Sequence, residues 1–418
     1  MKKVLIIGRG GREHALAIKF SESAKVYAAP GNVGMENIAK IVNIDENDFE
    51  GLINFVKKEN ISLTFVGPEV PLVNGIVDEF EKENLTIFGP NKKAAMIEGS
   101  KAFAKELMQK YNIPTAKHET FTEVKKAMEY IKENKITPPY VLKADGLAAG
   151  KGVVISESLE EAEATLKEMI EENKFGEASN KVVIEEFLEG CEFSFMAFVN
   201  GENVYPLELA KDHKRAYDKD EGPNTGGMGA YSPVPIISNE TVKIAIKDIL
   251  QKTAKAMVAE NCPFKGVLYA GLIDTKEGAK VIEFNARFGD PETEVLLPRL
   301  ESDLYEVIMS VLKKEEITLK WSNETTVGVV LASGGYPNSY KTNIPINIKD
   351  TKDVTIYHCG TKNINDKLVT AGGRVLLVTA KESNLKKARE KVYEEIKKIN
   401  FEGIQYRKDI GLNMSKIY

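Results

Sequence analysis

The chain has 418 residues, too many for one hydrophobic core and enough for two to four domains. Hydrophobic residues make up 43% and charged residues 28%, a globular balance that excludes wholesale disorder. A formal net charge of -5 gives no electrostatic ground for a nucleic-acid or membrane partner and points to a soluble protein handling small molecules.

The start of the chain carries an apolar run at residues 4–7, too short for a signal peptide and followed at once by Arg9, Arg12 and Glu13. No stretch is long enough to span a bilayer. Cys191, Cys262 and Cys359 show neither CxxC pairing nor metal-ligand spacing. A disulfide scaffold is therefore not expected, and a reducing, cytoplasmic setting is.

Residues 1–100 alternate strand and helix signals: apolar runs near 4–7, 25–28, 63–66 and 85–88, with a helix over 12–20 that places Leu16 and Phe20 one turn apart. The alternation predicts an open, parallel α/β domain. The first turn, Gly8-Arg9-Gly10-Gly11-Arg12-Glu13-His14, follows a strand and opens a helix, so its backbone N–H groups favour an anion. A dinucleotide site is not expected, because the third glycine of GxGxxG is replaced by Glu13. The next strand also ends in Ala29-Pro30-Gly31-Asn32, without a carboxylate for a ribose. A phosphate-bearing ligand other than a dinucleotide, with Arg12 as an extra cation, fits better; a plain structural turn is the alternative. Gly67-Pro68-Glu69 ends another parallel strand, where such sheets bind ligands.

The middle of the chain, 101–325, begins with a helix over 101–111 and continues into a small α/β lobe, 115–190, expected to act as a mobile lid. Lys143-Ala144-Asp145-Gly146-Leu147-Ala148-Ala149-Gly150-Lys151-Gly152 joins two lysines to a small-residue loop able to wrap a triphosphate. It is not a P-loop, since position 152 is glycine where Ser or Thr is required. Next, the apolar strand 182–184 runs into Glu185-Glu186-Phe187-Leu188; backbone groups there can read an adenine edge, with Phe187 and Leu188 over its face and Glu192 for ribose hydroxyls. Residues 268–273 and 280–284 read as paired strands. On the second, Glu283, Asn285 and Arg287 share one face, and Ile282 and Phe284 the other, buried one. A carboxylate and an amide oxygen on one edge suit Mg²⁺, and Arg287 can grip a carboxylate or a transferring phosphoryl group. Solvated lysines, an acidic turn and a structural salt-bridge network are the plain alternatives for these three segments, but phosphoryl transfer needs phosphate cradle, cations and metal together.

The tail, 326–418, has apolar strands near 327–331 and 375–379 and an amphipathic helix over 385–396. Few residues there suggest chemistry, and a third domain closing over the site is expected.

Across its whole length the chain resembles the phosphoribosylamine–glycine ligase (glycinamide ribonucleotide synthetase) family of purine biosynthesis. The resemblance rests on Gly10-Gly11-Arg12-Glu13-His14, Pro30-Gly31-Asn32, Gly67-Pro68-Glu69, residues 143–152, Asp212-His213-Lys214-Arg215, Asn224-Thr225-Gly226-Gly227-Met228-Gly229 and, most specifically, Arg287-Phe288-Gly289-Asp290-Pro291-Glu292. Arg9 departs from it, standing where the family usually has a small residue. The resemblance implies a multi-domain α/β ATP-grasp fold, ATP as co-substrate, Mg²⁺ or Mn²⁺, glycine and 5-phosphoribosylamine as substrates, and a monomer or weak homodimer. It places Lys105, Lys143, Lys151 and Gly152 at the ATP phosphates, Glu185, Glu186, Phe187 and Leu188 at adenine, and Glu192 at ribose. Metal falls to Glu283 and Asn285. The substrates fall to Gly10, Gly11, Arg12, Glu13, Asn32, Pro68, Glu69, Asp212, Lys214, Arg215, Thr225, Gly226, Gly227, Arg287, Gly289 and Asp290, with Arg287, Lys143 and Asp212 as the catalytic set. A different ATP-grasp ligase or carboxylase, and a nucleotide sensor without turnover, are the competing readings. His14 and His213 invite catalytic roles, although binding or structural ones fit them better.

Overall fold

Apolar runs near the N-terminus set the first sheet. The computed structural model describes residues 2–147, 152–174 and 176–412. Strands β1 (Lys3–Gly8), β2 (Lys25–Pro30), β3 (Ala39–Ile41), β4 (Leu63–Val66) and β5 (Ile87–Phe88) pair in parallel in the order β3-β2-β1-β4-β5. Helices α1 (Gly11–Ser21), α2 (Phe49–Glu59), α3 (Glu69–Asn74) and α4 (Ile76–Lys82) lie between them in sequence. Sheets covered on both faces bury both sides of each strand, so Val4, Leu5, Ile6 and Ile7 are all inaccessible. The chain leaves β1 in one direction through β2 and in the other through β4, which makes the carboxyl ends of β1 and β4 a topological switch point.

Helices α5 (Lys92–Gly99) and α6 (Lys101–Lys110) lead into the small lobe. There, β6 (His118–Phe121), α7 (Val124–Glu133), β7 (Tyr140–Ala144), β8 (Val153–Ser156), α8 (Leu159–Leu166) and β9 (Val182–Glu185) form an antiparallel sheet, β6-β9-β7-β8, with two helices. Met128, Ile131, Leu142, Leu166 and Ile184 give this lobe a core of its own.

The large sheet takes β10 (Cys191–Asn200), β11 (Asn203–Asp212), β14 (Gly229–Ser232), β15 (Lys265–Thr275) and β16 (Gly278–Asn285), with the hairpin β12 (Arg215–Tyr217) and β13 (Glu221–Asn224) inserted before β14. Helices α9 (Asn239–Ile244) and α10 (Lys252–Ala259) precede β15, and α11 (Thr293–Leu296) and α12 (Leu304–Lys313) follow β16. The tail supplies β17 (Thr325–Ala332), β18 (Asn347–Ile348), β19 (Thr355–His358), β20 (Thr361–Ile364), β21 (Lys367–Thr370), β22 (Arg374–Glu382) and α13 (Leu385–Ile396). The tail is not a detached unit. β17 pairs with β14, so one eight-stranded sheet runs β16-β15-β10-β11-β14-β17-β22-β19 across residue 326. No helix among the described residues is long and apolar enough to cross a membrane.

Candidate active site

The glycine loop after β1 is shaped by one carboxylate. Glu13, in the first turn of α1, folds back so that Oε2 accepts the Gly10 N–H at 2.6 Å and Oε1 accepts from Arg12 Nε at 2.5 Å. At Gly8, where φ is +122°, a Cβ would sit 2.6 Å from Glu13 Cγ; at Gly67, past β4, one would sit 2.1 Å from Glu13 Oε1. The residue that breaks the dinucleotide pattern thus fills the crook of the turn and spans both loops of the switch point. Arg12 also donates to the Phe288 carbonyl at 3.1 Å. Arg9 turns outward to Asp45 (3.2 Å) and Glu46 (3.5 Å), which leaves the loop undistorted by its bulk. Asn32 ties the loop to the tail, its Nδ2 donating to the carbonyls of Arg9 and His358, both at 2.8 Å.

The two inviting histidines are buried. His14 Nδ1 accepts the His358 backbone N–H at 3.0 Å, and burial, with His358 nearby, pushes its pKa down to about 3. Burial, with Arg407 and Lys211, pushes His213 down to about 4. Neither is poised to exchange protons at neutral pH.

The start of the second glycine loop is pinned to the N-terminus of α6. Ser100 Oγ caps the Phe103 N–H at 3.1 Å, and Asp145 accepts from the Ala102 N–H at 3.1 Å and Ser100 Oγ at 3.0 Å. Lys101 Nζ donates to the Gly146 carbonyl at 2.9 Å. Gly152 closes the far side, its carbonyl accepting the Ala144 N–H at 2.8 Å. Lys151 lies outside the described residues.

Below this loop, α6, β7 and β9 bring three buried charges together. Glu185 pairs with Lys105 at 2.9 Å and Lys143 at 3.0 Å. Lys105 also donates to Thr115 Oγ1 (2.7 Å) and Lys143 to the Ile282 carbonyl (3.0 Å). Two ammonium groups share one carboxylate. Burial works to raise Glu185, but the two lysines outweigh it and hold it below the usual range. Burial pushes Lys105 down to about 8, with Lys143 adding to the fall and Glu185 opposing it. A buried cleft with surplus positive charge is ready for an anion. Just past β9, Glu186 accepts the Lys117 N–H at 3.0 Å, Leu188 is half-buried and Phe187 is 42% exposed, an open apolar pair beside the cleft.

Across the cleft stands the end of β16. The β15–β16 ladder slips so that Gly271 faces Glu283 and Leu272 faces Val281, which bulges Ile282 out. Ile282 is accordingly half-buried, a correction to the alternating pattern, and its freed carbonyl is the one that meets Lys143. Phe284 is buried, as expected. Lys214 lies 3.7 Å from Glu283 and 3.8 Å from Glu192, loose contacts that bring all three to one wall. Burial would raise Glu283, but Lys214, Lys143, Lys101 and Arg287 hold it below the usual carboxylate range. Asn285 Oδ1 accepts from Arg287 Nη2 at 3.3 Å. An ionised carboxylate and an amide oxygen beside lysines fit a divalent cation that keeps phosphate and water oxygens. Among the described residues no group of three or more His, Cys, Asp or Glu forms a protein-only cage. Asp212, at the end of β11, is pushed up to about 7 by burial and by Glu292, Glu192 and Glu283, against Lys214.

A second lobe of the site joins the switch point to the tail. Arg287 reaches Glu69, the residue after Pro68 at the start of α3, at 3.4 Å. Asp290 pairs with Arg374 at 2.9 Å, and Arg374 donates to the Gly226 carbonyl at 2.6 Å. The Gly227 N–H donates to Thr225 Oγ1 at 3.0 Å, and at Gly227 (φ +107°) a Cβ would sit 2.4 Å from Pro291 Cδ. Gly289 belongs to the same turn, its carbonyl accepting from Thr293 Oγ1 at 2.5 Å. A Cβ at Gly10 would lie 3.6 Å from Asp290 Oδ2, so the first glycine loop meets this turn. Arg215 is the exception among the expected substrate residues: it donates to the Gly222 carbonyl at 2.8 Å, inside its own hairpin.

Models of three phosphoribosylglycinamide synthetase domains match the chain in succession: the N domain at residues 2–98, the ATP-grasp (A) domain at 99–293 and the C domain at 326–413. The chain belongs to the phosphoribosylglycinamide synthetase family. It is 54% identical to a phosphoribosylamine–glycine ligase of Halalkalibacterium halodurans, over 98% of this chain and 96% of that protein. The crystal structure of phosphoribosylamine–glycine ligase from Thermotoga maritima superposes with a TM-score of 0.84 at 36% identity, covering 98% of this chain and all (100%) of that one. A biotin carboxylase from Campylobacter jejuni, at 16% identity, TM-score 0.74, and covering 98% of this chain and 94% of that one, shares the fold.

In this member of the phosphoribosylglycinamide synthetase family, three residues of the site escaped the sequence reading. Arg374 opens β22 after Gly372-Gly373, a glycine pair beside an apolar strand that was the available signal. Tyr336, whose hydroxyl accepts the Gly226 N–H at 3.1 Å, had none. Glu98 sits in an alanine-rich helix and is recognisable only by its contact with Arg287.

Proposed function

We propose that this protein joins glycine to 5-phosphoribosylamine at the expense of ATP, giving glycinamide ribonucleotide, ADP and phosphate, in purine biosynthesis. One observation supports the reading above the rest: Lys143, next to the glycine loop, reaches the backbone of β16, so the proposed phosphate cradle and metal edge line one cleft. Held in separate clefts, they could not share a nucleotide.

Lys105 and Lys143 take the ATP phosphates in place of Glu185, and the loop amides close around the triphosphate. Glu185 and Leu188 offer backbone groups to adenine, with Glu186 and Phe187 beside them, and Glu192 holds the ribose. Glu283 and Asn285 would hold Mg²⁺ or Mn²⁺, which supplies charge compensation at the terminal phosphates. A carboxylate is a poor electrophile because oxide is a poor leaving group. A glycine carboxylate oxygen, held by Arg287, attacks the γ-phosphorus, and ADP leaves. The ribosylamine nitrogen then attacks the carbonyl carbon of glycyl phosphate and expels phosphate, and the amine proton goes to Asp212, whose pKa of about 7 suits a base at neutral pH. Gly10, Gly11, Arg12, Asn32, Glu69, Thr225, Gly226, Gly227 and Asp290 surround the phosphoribosyl group. Glycyl phosphate hydrolyses in water, which calls for a closed site.

The decisive assay measures phosphate release with ATP, glycine and freshly made phosphoribosylamine, omitting each in turn. Full turnover should need all three. Release that is independent of glycine, or supported by bicarbonate instead, would favour another ATP-grasp reaction. Glu283→Ala should lose metal-dependent turnover while melting normally.

A further inference from the structure

Arg287 is held between two carboxylates that differ in kind. Glu98 Oε1 meets Arg287 Nη2 at 2.8 Å, and Glu98 Oε2 accepts the Ala286 backbone N–H at 2.7 Å. One carboxyl group, 7% exposed, therefore grips both the guanidinium and the peptide that carries it. Glu69 approaches Nε at 3.4 Å, and that buried N–H has no well-aligned acceptor. The first contact is a short ion pair and the second a longer one. The two also come from different places: Glu98 ends α5, whereas Glu69 begins α3 at the switch point.

We propose that Glu98 is the positioning residue for Arg287: it fixes the plane of the guanidinium while Glu69 lets go of it when substrate arrives. This rests on the proposed function, in which Arg287 holds the reacting carboxylate. The asymmetry follows from what each contact would lose. Glu98 contacts Arg287 and the strand end, and burial, with Glu69, pushes its carboxyl up against the pull of Arg287, the Ala286 N–H and Arg12. Glu69 faces the loop of Arg12 as well, and both arginines hold its carboxyl below the usual range against its burial. Without Glu98, the guanidinium would swing toward Glu69, away from Asn285 and the phosphate end of the cleft. Arg12 and Arg287 are close enough to repel, which makes a fixed counter-charge behind Arg287 more than a packing detail.

The test is a double-mutant cycle on the full enzyme with Glu98→Gln, Arg287→Lys and the pair, reading kcat and KM for glycine and for ATP. Gln keeps an oxygen for the Ala286 N–H, so the backbone contact survives. Glu98→Gln should cost about tenfold or more in kcat/KM for glycine, as expected for loss of one partner of a buried ion pair, and leave KM for ATP within about twofold. In the Arg287→Lys background the same change should cost less than about twofold. Glu98→Asp, which keeps the charge on a shorter arm, should recover part of the glycine effect. Equal cost of Glu98→Gln in both backgrounds, or equal losses for glycine and ATP, would overturn the proposal while leaving the role of Arg287 intact. If Arg287→Lys alone changes neither glycine parameter, the proposed role of Arg287 fails, and the positioning role of Glu98 with it. Should Glu98→Gln melt far below the parent, the Glu98→Asp arm of the same cycle decides.

Discussion

At the scale of single residues, buried charge is the recurring device, and its partners tell one use from another. Glu185 has two lysines, Glu98 an arginine and a peptide, Glu13 an arginine and a peptide. Glu294, inaccessible in α11, has no hydrogen-bond partner for either oxygen and lies 2.6 Å from where a Gly11 Cβ would be. Burial and Asp290 push its pKa well above the ordinary value, which favours the neutral carboxyl. An acid whose folded pKa is raised binds a proton more tightly when folded. The penalty is absent below the unfolded pKa near 4.3 and grows by about 1.4 kcal/mol per pH unit above it until the folded pKa is passed. Glu294→Gln, close in shape to the neutral acid, should therefore melt above the parent at pH 8, with the gap shrinking toward pH 5. A gap that does not change with pH would show that this carboxyl is not the linked group.

Elements matter here mainly at their ends. Ser100 and Asp145 both serve the first turn of α6, and that shared cap is what ties the glycine loop to the helix carrying Lys105. Gly146 makes the tie possible: its φ is +117°, and a Cβ would lie 3.0 Å from Ala178 Cβ. Gly146→Ala should lower stability by about 1–3 kcal/mol through backbone strain and raise KM for ATP with little change in KM for glycine. Denaturant unfolding and initial rates check the two halves separately; a change confined to glycine would contradict the role given to this loop. The strand ends show the same economy, since the bulge at Ile282 turns a ladder carbonyl into the acceptor for Lys143.

For the whole molecule, we propose that the small lobe is the element that moves. It has its own core, and the described contacts that hold it to the large sheet near the cleft are polar ones, such as Lys143 to Ile282 and Thr115 Oγ1 to the Val281 carbonyl at 2.7 Å. Polar contacts across a cleft exchange readily for those of a nucleotide. Proteolysis within 115–190 should slow by about tenfold with ATP analogue and Mg²⁺ at ten times the dissociation constant. Cleavage at an unchanged rate under saturating nucleotide would exclude a closing lid.

Much of this protein was legible in the chain. Glycines after apolar runs, paired acids at a strand end and the turn at 287–292 carry their meaning locally, because a turn or a strand edge needs only neighbours in sequence. The parallel N-terminal sheet follows from alternation alone. What the chain could not show was which charges meet. Glu98 and Arg287 are 189 residues apart, and the two lysines find Glu185 only when α6, β7 and β9 converge. The tail looked separate because its apolar strands are like any others, and register with β14 is decided by packing rather than composition. The sequence by itself determined where the chain turns and where glycine loops follow apolar strands; the tertiary structure alone decided charge pairing, since Coulomb energy and burial depend on distance in space and not along the chain.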